Sequence, residues 1–331
     1  MEVLRFVTNS SAPPHPSRAP LEVEPRPIRP ADAPAWAVLY HAIAEEDGDR
    51  WRPTPVELSE FLEPHPAFDP ERQTWSVWDG EQMVAFASAH VRLEPTFEGS
   101  NLVYIAGGVH PRWRGRGLGT SLFTRAQATG ADLAAQRCPG IPATFHADTT
   151  DTAPAAAALL EDFGFAPARY WFYMTHDLSG AYVDDPRTQA PTPGLSEAIR
   201  LAHNDAFATH WGSGPVPADV WDQRQRSSTL RPDLSRIIVR DGQVLAYAIV
   251  STATPGAAYF NIIGVRGAAQ GRGLGRAVVT SALAAIQAEG TITEANLDVD
   301  ADNPTGAGAL YSSAGFVAVA RTVTWQKLTP G

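Results

Sequence analysis

A glycine-dense turn that occurs twice, 156 residues apart, constrains this chain more than any other feature. Gly115, Gly117 and Gly119 in Arg114-Gly-Arg-Gly-Leu-Gly recur as Gly271, Gly273 and Gly275 in Gln270-Gly-Arg-Gly-Leu-Gly, and Val109 ahead of the first turn recurs as Val265. Upstream, Trp75-Ser-Val-Trp-Asp79-Gly80 followed by Met83-Val-Ala-Phe matches Ile237-Ile-Val-Arg-Asp241-Gly242 followed by Val244-Leu-Ala-Tyr. Downstream, Asp162-Phe-Gly164-Phe165 matches Ser313-Ala-Gly315-Phe316. A repeat on this scale sets the architecture before any local detail is read. At roughly 150 residues per domain, the 331 residues divide into two copies of one domain. The copies are expected over 25–180 and 195–331. A Pro-rich tail precedes them at 1–24, and a linker with Pro186, Pro191, Pro193 and Gly194 joins them at 181–194.

Each copy reads as a helical N-terminal part, a hairpin on an Asp-Gly turn, a strand, the glycine turn, a helix, a strand, a short helix and a terminal strand pair. This is a mixed α/β (α+β) pattern. The second helix shows a one-sided apolar stripe of Leu274, Val278, Val279, Ala282, Leu283 and Ile286, with Gly290 as its stop. The strand that follows alternates Leu297 and Val299 with Asp298 and Asp300, which gives it one apolar and one carboxylate-bearing face.

A strand that ends in such a turn and opens a helix leaves backbone N–H groups unpaired at the positive end of the helix dipole, a setting that accepts anionic oxygens. The G-x-G-x-G spacing fits neither the G-x-G-x-x-G dinucleotide pattern nor a P-loop, which needs Gly-Lys followed by Ser or Thr. Tight packing between strand and helix is the alternative reading of either turn. The formal net charge of −10 opposes binding to nucleic acid or anionic lipid. A single cysteine, Cys138, excludes an intramolecular disulfide and a multi-cysteine zinc site, and no metal is expected. With no apolar run near the 18 to 20 or so residues of a membrane span and no hydrophobic leader in 1–20, the chain is expected to be soluble and cytoplasmic.

Val109-x-x-x-x-Arg114-x-x-Gly117-x-Gly119 and Val265-x-x-x-x-Gln270-x-x-Gly273-x-Gly275 resemble the acyl-CoA motif of the GNAT superfamily of N-acyltransferases, Q/R-x-x-G-x-G/A. The second copy adds Asn303-Pro-x-x-Ala307-x-x-Leu310-Tyr311-x-x-x-Gly315-Phe316, similar to that family's downstream helix. The resemblance covers about Pro25 to Leu328, and the tandem layout is similar to double-domain members of the family. It implies two splayed, mostly antiparallel sheets flanked by helices, with acetyl-CoA as cosubstrate and a small-molecule amine as acceptor. The pyrophosphate would rest on the amides of Gln270, Gly271, Arg272, Gly273, Leu274, Gly275 and Arg276. If the first copy also binds, Arg114, Gly115, Arg116, Gly117, Leu118, Gly119 and Thr120 would serve beside Val109. Gly264, and Gly107 with Gly108, are expected to mark the bulge of the splay. An amide near Ile263 to Val265 would hold the thioester carbonyl. Asn303 is expected to cap the helix that starts at Pro304, and also to face CoA.

The resemblance assigns Tyr311 as the acid that protonates the departing thiolate, since a phenol with a reference pKa of about 10 keeps its proton at neutral pH. A half-buried packing role is the alternative. Asp298, Asp300 and His210 are candidates to take the amine's proton, each better explained as structural or solvated, and none is chosen. Trp36, Tyr40, Trp51, Trp113 and Trp211 are aromatic candidates for an acceptor pocket, most of them explained by core packing. In the first copy Leu160 stands at the tyrosine position and Thr152 at the asparagine position. Leucine donates no proton, so chemistry is expected in the second copy and the first reads as degenerate. A non-catalytic CoA-binding or scaffold protein is the competing function.

Overall fold

In the computed structural model, which describes residues 24–303 and 306–329, the first repeat runs α1 (Ala33–Asp47), α2 (Pro55–Phe61), α3 (Pro70–Gln73), β1 (Thr74–Asp79), β2 (Gln82–Val91), β3 (Asn101–Val109), α4 (Leu118–Arg137), β4 (Ala143–Thr150), α5 (Pro154–Asp162) and β5 (Ala166–His176). The second runs β6 (Thr188–Gln189), α6 (Ser196–Ala206), α7 (Ala218–Arg224), β7 (Arg236–Arg240), β8 (Gln243–Ser251), β9 (Ala257–Val265), α8 (Leu274–Glu289), β10 (Glu294–Asp300), α9 (Ala307–Ser313) and β11 (Val317–Leu328). The expected tail, 1–24, lies outside the described residues apart from Glu24. Among the described residues no helix is long and apolar enough to cross a membrane.

Local chemistry sets the elements. Asp241 and Gly242 take φ of +51° and +74°, the left-handed pair that a two-residue hairpin requires, and β7 pairs with β8 around them. Helices α4 and α8 each open directly after a glycine, Gly117 at φ +78° and Gly273 at φ +72°. The apolar stripe of α8 is buried against the sheet, and Gly290 at φ +84° ends the helix.

The strands form one sheet in the order β1-β2-β3-β4-β11-β5-β10-β9-β8-β7-β6. Both parallel contacts are short. β3 leaves β4 after Tyr104↔His146, and β9 leaves β10 after Tyr259↔Asn296, so the sheet splays in each half at the strand leading to its glycine turn. Neither set of glycines expected to mark a bulge does so. In the second half the register shifts between Ile249 and Val250, leaving Asn261 as the extra residue of β9, three positions before Gly264. In the first half β2 and β3 stay in register through Gly107 and Gly108. Packing accounts for these glycines instead. A Cβ on Gly264 would stand 2.3 Å from the Tyr247 hydroxyl, and one on Gly108 would stand 2.6 Å from Ile43 Cδ1.

The centre of the sheet departs from the expected terminal strand pair in each copy. The last strand of each repeat is inserted beside the other repeat. β5 pairs with β10 from His176↔Ala295 to Trp171↔Asp300. β11 pairs with β4 from Thr322↔Thr150 to Leu328↔Thr144, and the two exchanged strands pair with each other. Packing follows the exchange. Met174 of β5 joins the core of the second half, whereas Val323 and Trp325 of β11 join the core of the first, and Trp325 Nε1 donates to Thr149 Oγ1 at 2.9 Å.

Within 181–194 the chain is not all linker: Thr188 and Gln189 pair with Ile238 and Ile237 as an outer strand ahead of Pro191 and Pro193. The helix after β10 starts at Ala307, with Gly306 at φ +75° as its cap. Asn303 is therefore not the cap. Its carbonyl accepts the Gly306 N–H at 3.3 Å in a turn that a left-handed glycine completes, and Pro304 lies outside the described residues.

Candidate active site

Where β9 parts from β10 the splay opens into a cavity of about 690 Å³, within the usual range for small-molecule sites of about 300 to 1,000 Å³. Its wall combines the glycine turn (Gln270, Gly271, Gly273, Leu274, Gly275, Arg276), the free edge of β9 (Ile263, Gly264, Val265), Asn303 and Tyr311. One space thus holds the second-copy candidates except Arg272. The Arg272 guanidinium turns back onto the Ala268 carbonyl at 2.9 Å.

The turn presents amides of the kind that can receive an anion. Gly271 and Gly273 have φ of +73° and +72°, with open space where a Cβ would stand, so conformation requires glycine here and packing does not. The first helical hydrogen bond of α8 runs from Ala277 N–H to the Gly273 carbonyl. The N–H groups of Leu274, Gly275 and Arg276 precede it and have no partner within the helix. Gly275 has a different reason to be glycine: a Cβ there would meet Leu310 Cδ1 at 3.2 Å and Val265 Cγ2 at 3.4 Å, so α8 packs close to β9 and α9. Gln270 Nε2 donates to the Val265 carbonyl at 3.3 Å, and Arg276 donates to Ser313 Oγ at 2.6 Å, tying the turn to α9.

Tyr311 projects from α9 with 8% exposure and packs edge-on against Phe316. Burial pushes its phenol up to about 12, so it keeps its proton across the neutral range.

A second cavity of about 720 Å³ adjoins the first and shares Trp171, Tyr259, Asn261 and Asp298 with it. Both halves line it. From the second half the Tyr259 hydroxyl donates to Asp298 Oδ2 at 2.5 Å. From the first half the Tyr104 hydroxyl donates to Asp148 Oδ2 at 2.7 Å, and Thr324 of β11 donates to Asp148 Oδ1 at 2.5 Å. Burial raises the pKa of both carboxyls. Asp298 is the proton-acceptor candidate that stands where the two cavities meet. Asp300 is tied to the Asp302 N–H at 2.9 Å and lies 3.9 Å from Arg169, and His210 stacks on Trp171.

Residues 207–216 link the halves. His210 lines the first cavity and Trp211 the second. Trp211 stacks on His146 of β4 at 4.5 Å with Arg169 over its ring, and burial holds the His146 pKa down at about 4. The segment is pinned from the first half: Glu98 Oε1 accepts the Gly212 N–H at 3.1 Å, Phe97 N–H donates to the Ser213 carbonyl at 2.8 Å, and Arg92 donates to the Pro215 carbonyl at 2.9 Å. Of the aromatic candidates, Trp51 and Trp211 line the second cavity. Trp36 is core, Tyr40 packs against it, and Trp113 packs on the first-half core.

The first glycine turn has the same backbone and different neighbours. Gly115 and Gly117 are left-handed with open space where a Cβ would stand, Leu118 is buried, and Gly119 packs against Val109 and Leu159. Arg114, at the position of Gln270, makes a bidentate pair with Asp47 at 2.8 and 2.7 Å. Thr150 and Thr152 donate to the Asp47 carbonyl at 2.7 and 2.5 Å, which draws the end of α1 onto the mouth of that splay. Arg116 caps the Arg112 carbonyl at 3.0 Å, and Thr120 lends its carbonyl to Thr124 within α4. Leu160, 4% exposed, belongs to the core.

Sequence reasoning missed Tyr104, Asp148, Tyr259 and Asn261. A signal for them was present. Tyr104 recurs as Tyr259 and Asp148 as Asp298, and the tyrosine offset of 155 against 156 for the valines marks the one-residue insertion that forms the bulge.

Comparison with known proteins follows this geometry. The profile of the Acetyltransferase (GNAT) family matches residues 36–165 and 197–316. The mycothiol acetyltransferase of Thermobispora bispora is 29% identical over 87% of this chain and 93% of its own length. That of Streptomyces avermitilis is 33% identical over 63% of this chain and 66% of its own length. Among solved structures, the GCN5-related N-acetyltransferase from Sphaerobacter thermophilus is 27% identical, superposes with a TM-score of 0.74, and covers 95% of this chain and 98% of its own. A tandem GNAT protein from the clavulanic acid biosynthesis pathway shares the fold at a TM-score of 0.66 and 19% identity, covering 93% of this chain and 99% of its own.

Proposed function

The chain belongs to the GNAT acetyltransferase family and is an N-acetyltransferase that uses acetyl-CoA; from that premise we propose that transfer to a small-molecule amine takes place in the second half, by direct attack in a ternary complex. The observation that carries this reading is the single cavity joining the Gln270–Arg276 turn, the free edge of β9 and Tyr311. The residues present suit acetyl-CoA, because the left-handed glycines leave room for a pyrophosphate against three helix-end amides. Bound there, it supplies an acetyl carbonyl activated as a thioester.

The chain's own groups divide the remaining work. The amides of Leu274, Gly275 and Arg276 hold the diphosphate. The amide edge at Ile263 to Val265 orients the thioester and stabilises negative charge on its oxygen, an effect worth about 10² to 10³ in rate per donor. Tyr311 gives its proton to the leaving sulfur. The acceptor enters through the second cavity, and Asp298 takes the proton that its ammonium must lose, since burial has already raised the carboxyl's affinity for one. The stretch 25–180 acts as scaffold and acceptor wall, and 195–331 carries the chemistry. The name of the relatives, mycothiol acetyltransferase, supports a small-molecule acceptor without fixing which one.

An amine panel with a free-thiol readout tests the proposal. Release of CoA is expected only with amine present, and wild-type release from a Gly273→Val variant would overturn the placement, because the φ of +72° opposes valine there and its side chain would fill the room left for the pyrophosphate.

A further inference from the structure

The second cavity carries more information than an entry route needs. It is lined by the carboxylates of Asp49, Glu57, Asp148 and Asp298 and by two guanidinium groups, Arg50 and Arg52. The arginines do not neutralise the deeper acids. Arg50 lies over the Tyr173 ring, Arg52 is bonded to the carbonyls of Asp49 and Trp51, and among the described residues no ion pair reaches Asp148 or Asp298. His146, with its pKa held low, contributes no charge near neutrality.

Two carboxylates that face the cavity with no cation against them leave negative charge that a ligand can meet. An independent observation points the same way. Asn296, 4% exposed, lines this cavity, and its Oδ1 has no hydrogen-bond partner while its Nδ2 donates to Glu294 at 2.8 Å. An unpaired buried acceptor asks for a donor, and an ammonium is donor only. The walls add the aromatic rings of Trp51 and Trp171, surfaces that attract organic cations.

What the two halves have kept in common is also informative. The first half lacks the acid, having Leu160, and lacks the bulge in β3, yet it retains the tyrosine–aspartate pair in register with that of the second half. That pair faces the shared cavity.

Resting on the reading that the acceptor occupies this cavity, we propose that the acceptor is a bis-cationic amine. One ammonium meets Tyr259–Asp298 and is acetylated after losing its proton. The second is held, unreacted, by Tyr104–Asp148 of the first half. The class is that of diamines and di-amino sugars, and monoamines of the same length are poor ligands.

Calorimetry on the full chain tests this with α,ω-diamines of three to eight carbons and the monoamines of equal length as probes. The expected result is a diamine that binds about ten- to a hundred-fold more tightly than its monoamine, the range of one charge-assisted hydrogen bond. Asp148→Asn should bring the diamine down to the monoamine level. Tyr104→Phe, a milder change, should remove part of the advantage, which keeps the test valid if the aspartate variant fails to fold. Equal affinities for the two amine series, or no binding of either, overturns the bis-cation proposal. Failure of the underlying reading looks different: acetyl-CoA would bind a Gly273→Val variant as tightly as wild type.

Discussion

At the start of α8 the turn Gln270–Gly275 opens on a cavity that reaches Tyr311, whereas at the start of α4 the matching turn Arg114–Gly119 has its first side chain paired with Asp47 and Leu160 at the tyrosine position. The backbone angles of the two turns are nearly identical. A glycine turn is thus preserved by the demands of a strand-to-helix connection as well as by a ligand, and the difference between the halves lies in what the turn faces. The first half has a buried leucine where the second has Tyr311, and both halves present a tyrosine–aspartate pair to the shared cavity.

The comparison breaks most visibly at Tyr311. Tyr311→Phe keeps the ring and should lower kcat by about 10² to 10⁴, the usual worth of a general acid. Because the phenol stays protonated up to about 12, the wild-type rate should show no alkaline fall below about pH 10. On the acid side kcat should rise as Asp298, whose carboxyl is raised by burial, loses its proton above the ordinary carboxylate range. Unchanged turnover in the phenylalanine variant would return Tyr311 to the core. Next in size is Trp325→Ala, which removes a second-repeat side chain from the first-half core and should cost about 3 to 5 kcal/mol by denaturant unfolding. A loss below about 1 kcal/mol would mean that the exchanged strand adds little to the half it joins.

Glu98→Ala probes the first half's hold on Trp211. It should raise the acceptor KM about ten-fold, the cost of one charged hydrogen bond, with little change in kcat, and Glu98→Gln, which still accepts from Gly212, should restore most of the loss. Equal falls in kcat and kcat/KM would instead place the effect in the chemical step. The smallest effect is expected for Asp47→Ala, which breaks a partly exposed pair with Arg114 (side-chain exposures 16% and 28%). A stability loss of about 1 to 2 kcal/mol with transfer intact is the outcome consistent with a first turn held only for structure.

Much of this was legible in the sequence. The repeats, the hairpin on Asp241-Gly242 and the helices after the glycine turns follow from spacing and glycine chemistry that act over a few residues, whereas the first hairpin turns on Gly80 and Glu81 with Asp79 already paired to Gln82, and the grouping of Gln270–Gly275 with Tyr311 came from the family resemblance. The strand exchange was not legible, because Ala166–His176 and Val317–Leu328 are counterparts and each can satisfy the same ladder beside β4 or β10. Choice of partner is a long-range packing decision, settled here by residues such as Met174 and Trp325. The start of α9 was misplaced for a local reason: Asn303-Pro304 is a sound cap by residue type, and left-handed Gly306 provided a later one.

The exchanged strands also set a timetable for synthesis. Asp148 of β4 meets Thr324 of β11 across 176 positions of sequence. At about 5 to 20 residues per second, the first half waits about 9 to 35 seconds on the ribosome with the edge of β4 bare, an edge of the kind that invites pairing with foreign strands. Any product that stops short of residue 317 lacks β11 altogether. Its β4 and β5 then each present an unpaired edge, so a truncated transcript yields an aggregation hazard in place of a free first domain, and the two repeats are bound to be made, and inherited, as one piece.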